Sequence, residues 1–506
     1  MSTGSTVVQR SSAGRANTGD DDRRIVDEEQ GLSSGSNTRS PELNEKEAEK
    51  GRVVPIADRF LRRGRRQIGV VESLKAILFS SWLNLLLVFI PIAWGAHFSN
   101  TEHGEDVFKL QLTFVLCFLA IVPLEKLFEY GGEQMMFYLG EDLGELLIIT
   151  LNNTVEATLA IILLTKCELK LLQATIIGVV ILHLLLIPGV AFAFGGVRVL
   201  EQELHPHLTE LNHTLLTIGV MTLLLPAAFF AASAHTGIPE SAEAALEGLT
   251  PLVSDDTRHL MLQMSRGLAV VLLTVYICSR IFLHDPPGEN YELSQHRLAP
   301  EALKERRAEF ENSEPEVNQW VCIAMLAVTI GIMAATGEWL VDSIEFVREE
   351  GGIKQEWFGL ILLPLVSFSG DGFLAVAFFI RSTFRWMRGQ RPPPATLANA
   401  RPIDMSIQFM MFWLPFIVLL GWWRGQPMSF LFDLFEVALV IASCFIVNYV
   451  TADAKTNWLE GYAMLAFYVM IAICSWFYQG QAEVVELSQC LSVEAALNST
   501  LESILD

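Results

Sequence analysis

The chain has 506 residues, of which 51% are hydrophobic and only 18% charged, with a mean hydropathy of +0.38. Charge lies well below the ~25% usual in a soluble domain. The apolar residues form runs of about 20, long enough to cross ~30 Å of hydrocarbon as helices. That run length excludes barrel strands, which are shorter and alternate in polarity. The net charge of −22 argues against nucleic acid as a partner and is compatible with cation traffic.

Residues 1–72 are rich in Ser, Gly, Glu, Asp and Arg and poor in apolar side chains, which predicts a disordered tail. The tail has no apolar h-region, so the first hydrophobic span is expected to serve for insertion. Eleven spans are expected, beginning at about Leu74, Lys109, Leu143, Leu169, Thr214, Ser265, Val317, Trp357, Ile403, Phe430 and Leu459. Arg59, Arg62, Arg63, Arg65 and Arg66 precede the first, which places the amino terminus in the cytosol by the positive-inside rule. Threading outward then puts Lys304, Arg306 and Arg307, and later Arg381, Arg385, Arg388, Arg391 and Arg401, on the cytosolic side. The acidic loops 101–106 and 239–256 fall opposite, as does the acidic C-terminal tail 481–506, expected in a lumen or outside the cell. The seven cysteines lie mostly within apolar runs and show no paired CxxC spacing, so neither a zinc site nor a disulfide framework is expected.

A polar linker, 284–316, separates segment 73–283, with six spans, from segment 317–480, with five. The expected fold is an all-α integral membrane protein of about eleven transmembrane helices: two inverted five-helix repeats plus one extra N-terminal helix. An odd number of spans per half inverts one half against the other, and such transporters hold their substrate at the midplane between the repeats.

Polar interruptions stand where that scheme requires them, in the second span of each half. In the first, Asn152-Asn153-Thr154-Val155-Glu156 breaks an apolar run; in the second, Ser367-Phe368-Ser369-Gly370-Asp371-Gly372 follows Leu360-Ile-Leu-Leu-Pro-Leu-Val366. Spacings of three and four put Asn152, Asn153 and Glu156 on one helix face, and Ser367 with Asp371 on another. An ionised carboxyl in lipid costs at least ~2.5 kcal/mol, so such a residue usually lines an ion path. Carboxylates joined by amide, hydroxyl and backbone oxygens are what a hard, dehydrated cation requires. Two opposed acids would neutralise one divalent ion and take up protons when it leaves. The plainer alternative is that Glu156 and Asp371 are neutral core carboxyls with a packing role.

Other boundary acids carry less weight. Glu133, Glu141, Asp142 and Glu145 surround the start of the third span, Glu338 and Asp342 close the seventh, and Asp433 and Glu436 open the tenth. A solvated or capping role competes with an ion relay at each. His183, on an apolar face, reads as a core histidine rather than a ligand.

In these residues the chain resembles the CAX-type calcium/proton exchangers of the calcium/cation antiporter superfamily, most of all their fungal vacuolar branch. The resemblance runs from about Ser81 to Phe477 through Leu139-Gly-Glu-Asp-Leu-Gly144, Asn153-Thr-Val-Glu156, Gln173-Ala-Thr-Ile-Ile-Gly178, Glu338-Trp-Leu-Val-Asp-Ser343 and Asn457-Trp-Leu-Glu-Gly461. It implies a Gly-Asn-x-x-Glu motif in each half whose carboxylate and amide ligate the ion. Asn153 and Glu156 keep the first motif, with Asn152 in place of its glycine. In the second, Ser367 stands for the glycine, Phe368 for the asparagine, Asp371 for the glutamate and Gly372 for the histidine that follows. After the first motif Val179, Leu182 and His183 stand where the family has serine, serine and asparagine. After the second, Ser406 and Gln408 are retained from a Gly-Ser-Ser-x-Gln pattern. Glu133, Glu338 and Gln408 are carried mainly by the resemblance.

The expected function is therefore a secondary active cation/proton antiporter, not an enzyme, moving cytosolic calcium into an acidic vacuole in exchange for protons. It needs no cofactor beyond the transported ion. Glu156 and Asp371 would alternately hold cation and protons, with Asn153, Asn152, Ser367 and Gln408 as neutral helpers. A monovalent sodium or potassium antiporter, and a transport-dead relative that senses ions or binds partners, are the competing readings. The expected partners are the lipid bilayer, calcium or monovalent cations, and protons; the expected location is the vacuolar membrane, with a cytosolic amino terminus and a lumenal carboxyl terminus.

Overall fold

The computed structural model describes residues 59–61, 68–103, 110–197, 200–236, 253–284, 313–365 and 401–490, with a few positions between 368 and 388. The first hydrophobic span is segmented into α1 (Val70–Phe79), a 3-10 turn (Trp82–Val88) and α2 (Phe89–His103). The break forms where Ser81 accepts from the Leu83 N–H and the Asn84 amide donates to the Ile77 carbonyl at 2.9 Å, so the freed backbone groups find partners away from water. Phe60 packs edge-on against Tyr138 and Trp320, with ring centroids 6.2 and 5.7 Å apart. The tail expected to be disordered through residue 72 thus already contributes an aromatic anchor and the start of α1, because an aromatic ring buries enough area to offset local ordering.

Each half opens with a long helix, α3 (Leu110–Leu139) and α9 (Gln319–Gly351), and the two pack side by side. Tyr138 donates to the Val317 carbonyl at 2.6 Å, and the Cys322 thiol approaches the Gly131 carbonyl at 3.3 Å. Two shorter helices follow α3, namely α4 (Glu141–Asn152) and α5 (Thr154–Thr165), which meet at 48°. The expected single face over Asn152, Asn153 and Glu156 is therefore bent at Asn153.

Helices α6 (Leu169–Gly196) and α11 (Arg401–Arg424) occupy corresponding places in the two halves. Both contain a π turn, Leu182–Leu186 in one and Phe409–Trp413 in the other, in the same register ahead of Pro188 and Pro415. A proline lacks the N–H and presses on the carbonyl one turn back, and the widened turn relieves both. A third π turn, Phe358–Leu362, continues the short α10 (Gln355–Trp357) ahead of Pro364. Helix α6 packs against this third turn, and Gly178 makes the approach close: a Cβ there would collide with the Leu360 carbonyl and stand 2.7 Å from Pro364.

The remaining elements are α7 (Pro206–Thr236), α8 (Asp255–His284), α12 (Leu434–Val450), α13 (Trp458–Phe477) and α14 (Ala482–Leu487). Helices α7 and α8 begin about two and about three turns before the expected Thr214 and Ser265. Helical hydrogen bonding continues past the apolar boundary, and Asp255 and Asp256 suit an N-terminal turn. Asn457 and Glu460 close α13 with a reciprocal capping box. One short antiparallel ladder, β1 (Gln202–Glu203) with β2 (Lys455–Thr456), clips the two halves together at one end of an otherwise helical fold.

Among the described residues, eight helices are long and apolar enough to cross a membrane, nine with α4 and α5 taken as one bent span. Helix α12, with 17 residues, is shorter, and the expected eighth span leaves the described residues at Val366. One apolar core runs through both halves, while Leu85, Trp423, Phe445 and Phe477 face outward, as a lipid-facing surface requires. Against the expectation from spacing, Cys167 and Cys490 form a disulfide. Their sequence separation of 323 hid the pair, since proximity across such a distance is a tertiary property.

Candidate cation site

The site is built around the break between α4 and α5. Asn153 leaves helical geometry (φ −83°, ψ 0°), and its amide nitrogen donates to the Met405 carbonyl at 3.1 Å and to Gln408 Oε1 at 2.8 Å. Gln408 Nε2 in turn donates to Thr150 Oγ1 at 2.8 Å. The first half's broken helix is thereby fastened to α11 of the second half by side-chain amides. With its nitrogen so occupied, Asn153 retains a buried Oδ1 that has no hydrogen-bond partner, and so does Asn152. A buried amide oxygen without a donor carries a desolvation cost that a ligand's positive charge offsets.

Glu156 sits in the first turn of α5, 3% exposed. The N-terminus of a half-helix there carries partial positive charge. His183, in the π turn of α6, brings Nε2 within 3.8 Å of Glu156 Oε1, and its Nδ1 is buried without a hydrogen-bond partner. A cavity of about 140 Å³ opens beside these groups, lined among others by Glu125, Glu129, Asn152, Glu156, His183 and Met405. It reaches Arg401 and Pro402, at the first turn of α11.

The structure therefore brings Glu156, Asn152, Asn153 and Gln408 together. Asn152 and Glu156 line the cavity, while Asn153 and Gln408 brace it from behind. Ser406 is fully buried and directs its hydroxyl to the Val180 carbonyl at 3.4 Å, a contact between α11 and α6 rather than with the cavity. Glu133 is half-buried on α3 and does not line the cavity. Glu338 is exposed on α9, beside Lys166, and does not line the cavity. Burial holds the Lys166 ammonium below the usual lysine range while Glu338 pulls the other way. Ser367 and Asp371 lie outside the described residues; Phe368 packs against the core.

Three residues of the cavity were missed by sequence reasoning. Glu125 and Glu129 project from one face of α3 four positions apart, a spacing that was legible, and Lys126 pairs with Glu129 at 2.7 Å. His183 was read as core packing, and it is indeed 1% exposed, but it is packed against the site itself. Asp433 and Glu436 prove to be neither solvated nor simply capping: Asp433 caps α12, yet both are buried around Lys170.

The sequence profile of the family described as "Sodium/calcium exchanger protein" matches residues 109–283 and again 321–477, once per half. The "Vacuolar calcium ion transporter" of Cryptococcus neoformans var. grubii is 31% identical over 479 residues, covering 81% of this chain and 75% of the relative. That of Schizosaccharomyces pombe is 29% identical, covering 83% and 91%. The "Ca(2+)/H(+) antiporter" of Synechocystis is 31% identical, covering 78% and 96%. Among solved structures, native YfkE superposes with a TM-score of 0.56 at 18% identity, covering 78% of this chain and all of that one. The "H+/Ca2+ Exchanger CAX" gives 0.51 at 14% identity, covering 83% and 96%. These two share the fold. With the profile matched in both halves, the first match taking in the broken helix that carries Asn153 and Glu156, the chain belongs to the sodium/calcium exchanger family.

Proposed function

We propose that the protein is a secondary active antiporter that moves calcium from the cytosol into an acidic vacuole in exchange for protons. The observation that carries this reading is the cavity ending on Glu156, beside two buried amide oxygens without hydrogen-bond donors. That donor set, carboxylate and carbonyl-type oxygen, suits a hard divalent cation. The names of the fungal relatives agree with calcium and with the vacuole, and that of the cyanobacterial relative with proton exchange.

The mechanism follows from charge. A carboxylate held away from water needs either a cation or a proton, so Glu156 exchanges one for the other, and Asp371 is the acid proposed to complete the pair from the second half. The cation enters through the cavity, sheds water onto Glu156 and the oxygens of Asn152 and Asn153, and leaves toward the other face as protons arrive. The π turns repeated in α6 and α11 support two halves built alike and inverted, and give each of these helices a deformable turn near the site.

The disulfide supports the sidedness. Disulfides persist in compartments on the non-cytosolic side, and Cys167 and Cys490 both fall there when the chain is threaded from a cytosolic amino terminus. The cavity then faces the cytosol, because Arg401 and Pro402 lie at the cytosolic end of α11.

Calcium uptake by proteoliposomes with an acidic interior tests the reading, with sodium and potassium run separately and Glu156→Gln as the paired variant. Uptake that collapses with the proton gradient and disappears in Glu156→Gln is expected. Equal uptake by the variant, or uptake of a monovalent ion alone, refutes it.

A further inference from the structure

At the end of the bundle opposite the cavity mouth, the two halves are joined by a buried charge cluster. Lys170, in the first turn of α6, belongs to the first half; its Nζ lies 3.5 Å from Glu436 Oε1, 3.5 Å from Glu356 Oε2 and 3.7 Å from Asp433 Oδ2, all from the second half. None of the four is more than 6% exposed. One ammonium thus faces three carboxylates, and Oε2 of Glu436 has no hydrogen-bond partner. The cluster is under-neutralised and under-bonded, which a purely structural core would avoid.

A strap covers it. After α13 the chain turns back so that Tyr478 donates to Asp433 Oδ1 at 2.6 Å and the Gln481 N–H donates to Asp433 Oδ2 at 2.7 Å. The Leu434 N–H donates to Gln481 Oε1 at 3.0 Å. Gly480, at φ +84°, lets the backbone pass directly over Glu356, where any Cβ would collide with the carboxylate. The strap continues through α14, whose Leu487 packs with Val253, Met261 and Leu431, and ends at Cys490 on Cys167, three residues before Lys170. The next cation at the rim, Lys354, is taken by the Phe477 carbonyl at 2.9 Å.

We propose that Lys170, Glu356, Asp433 and Glu436 form the lumenal gate of the exchanger, a clamp between its halves under a tethered strap that protons from the lumen release. This rests on the reading of the chain as a proton-coupled exchanger with Cys167 in an acidic lumen. With the cavity open on the cytosolic side, alternating access requires this end to part. Parting it while the carboxylates are ionised exposes Lys170 and its partners to separation in a low-dielectric setting. Each proton taken by Glu356 or Glu436 removes one attraction on Lys170 and lowers that barrier. The groups facing Lys170 are Glu356 from α10, Asp433 and Glu436 from α12, and, through Asp433, Tyr478 from the strap. The protons that open the gate arrive from the side to which calcium is released, so opening is tied to the gradient that drives transport.

Amide hydrogen exchange on the full chain in nanodiscs tests this, read at Leu434 and Gln481 after correction for intrinsic rates. From about pH 7.5 to about pH 5.5, a range over which buried carboxyls titrate, exchange at both positions is expected to rise roughly tenfold. Glu436→Gln, which mimics one bound proton, is expected to exchange at the higher pH as the unaltered chain does at the lower, and Glu356→Gln serves if that variant does not fold. Exchange that ignores pH in the unaltered chain, or both variants behaving like it at the higher pH, overturns the gate. Calcium uptake is scored in parallel at a constant pH difference: uptake without the exchange response refutes the gate alone, whereas the response without uptake refutes the transport reading and leaves the acid-sensitive clamp.

Discussion

The bond between Asn153 and Gln408 joins the two halves at the cation site, and a double-mutant cycle measures it. Asn153→Ala removes the donor that serves the Met405 carbonyl at 3.1 Å and Gln408 Oε1 at 2.8 Å. Each lost hydrogen bond is worth ~1 kcal/mol net, and an acceptor left buried without a donor costs ~1–3 kcal/mol. Gln408 Oε1 is such an acceptor, so the single variant is expected to lose about 2–4 kcal/mol of stability. Gln408→Ala is milder, at about 1–3 kcal/mol, because Asn153 keeps the Met405 carbonyl and Thr150 keeps its bond to Leu146 at 2.8 Å. In the double variant no orphaned Gln408 oxygen remains, so its loss falls short of the sum by about 1–2 kcal/mol. Reversible unfolding in mixed micelles supplies the stabilities, and calcium titration of the same four proteins separates bracing from binding. Asn153→Ala should also weaken calcium through loss of its Oδ1, whereas Gln408→Ala should weaken it less. Additive stabilities within about 0.5 kcal/mol would mean that the amides do not couple the halves, and the bracing argument would fall.

Three further outcomes follow from the same geometry. Gly178→Val places a side chain against the Leu360 carbonyl and Pro364, so an overpacking loss of about 1–3 kcal/mol or more is expected, with Gly178→Ala milder; equal stability of Val and Gly would refute the tight seam between α6 and the π turn. Cys490→Ser frees the end of the strap, and limited proteolysis is expected to cut within 478–490 while leaving α13 intact; unchanged cleavage would show that the non-covalent contacts of Asp433, Gln481 and Leu487 suffice to hold it. Burial, and then the hydrogen bond to Asp433, push the Tyr478 hydroxyl above its ordinary pKa of 10.0. A folded-state pKa raised in this way gives stability that is complete below the unfolded value and lost as pH rises beyond it. Corrected for intrinsic rates, exchange at Gln481 should therefore climb above about pH 10, and that excess should disappear in Tyr478→Phe.

What the sequence determined by itself is whatever depends on local composition and spacing. Apolar runs of membrane length fixed the helical class, because lipid leaves the backbone no other partner than its own helix. The pairing of Asn153 with Glu156 in such a run marked the candidate site, because a carboxylate in hydrocarbon is costly. The family followed from the order of its motifs, now matched in both halves. Tertiary structure decided what depends on contacts between distant segments. Only folding brings Gln408 to Asn153, 255 positions away, turns the supposed core histidine His183 toward Glu156, and sets Glu338 beside Lys166 rather than in the cavity lining. Only folding joins Cys167 to Cys490 and gathers three carboxylates from the second half around Lys170 of the first. Spacing along a chain reports which residues share a helix face, but charge compensation and covalent closure are settled by which faces meet, and that is a property of the packed bundle.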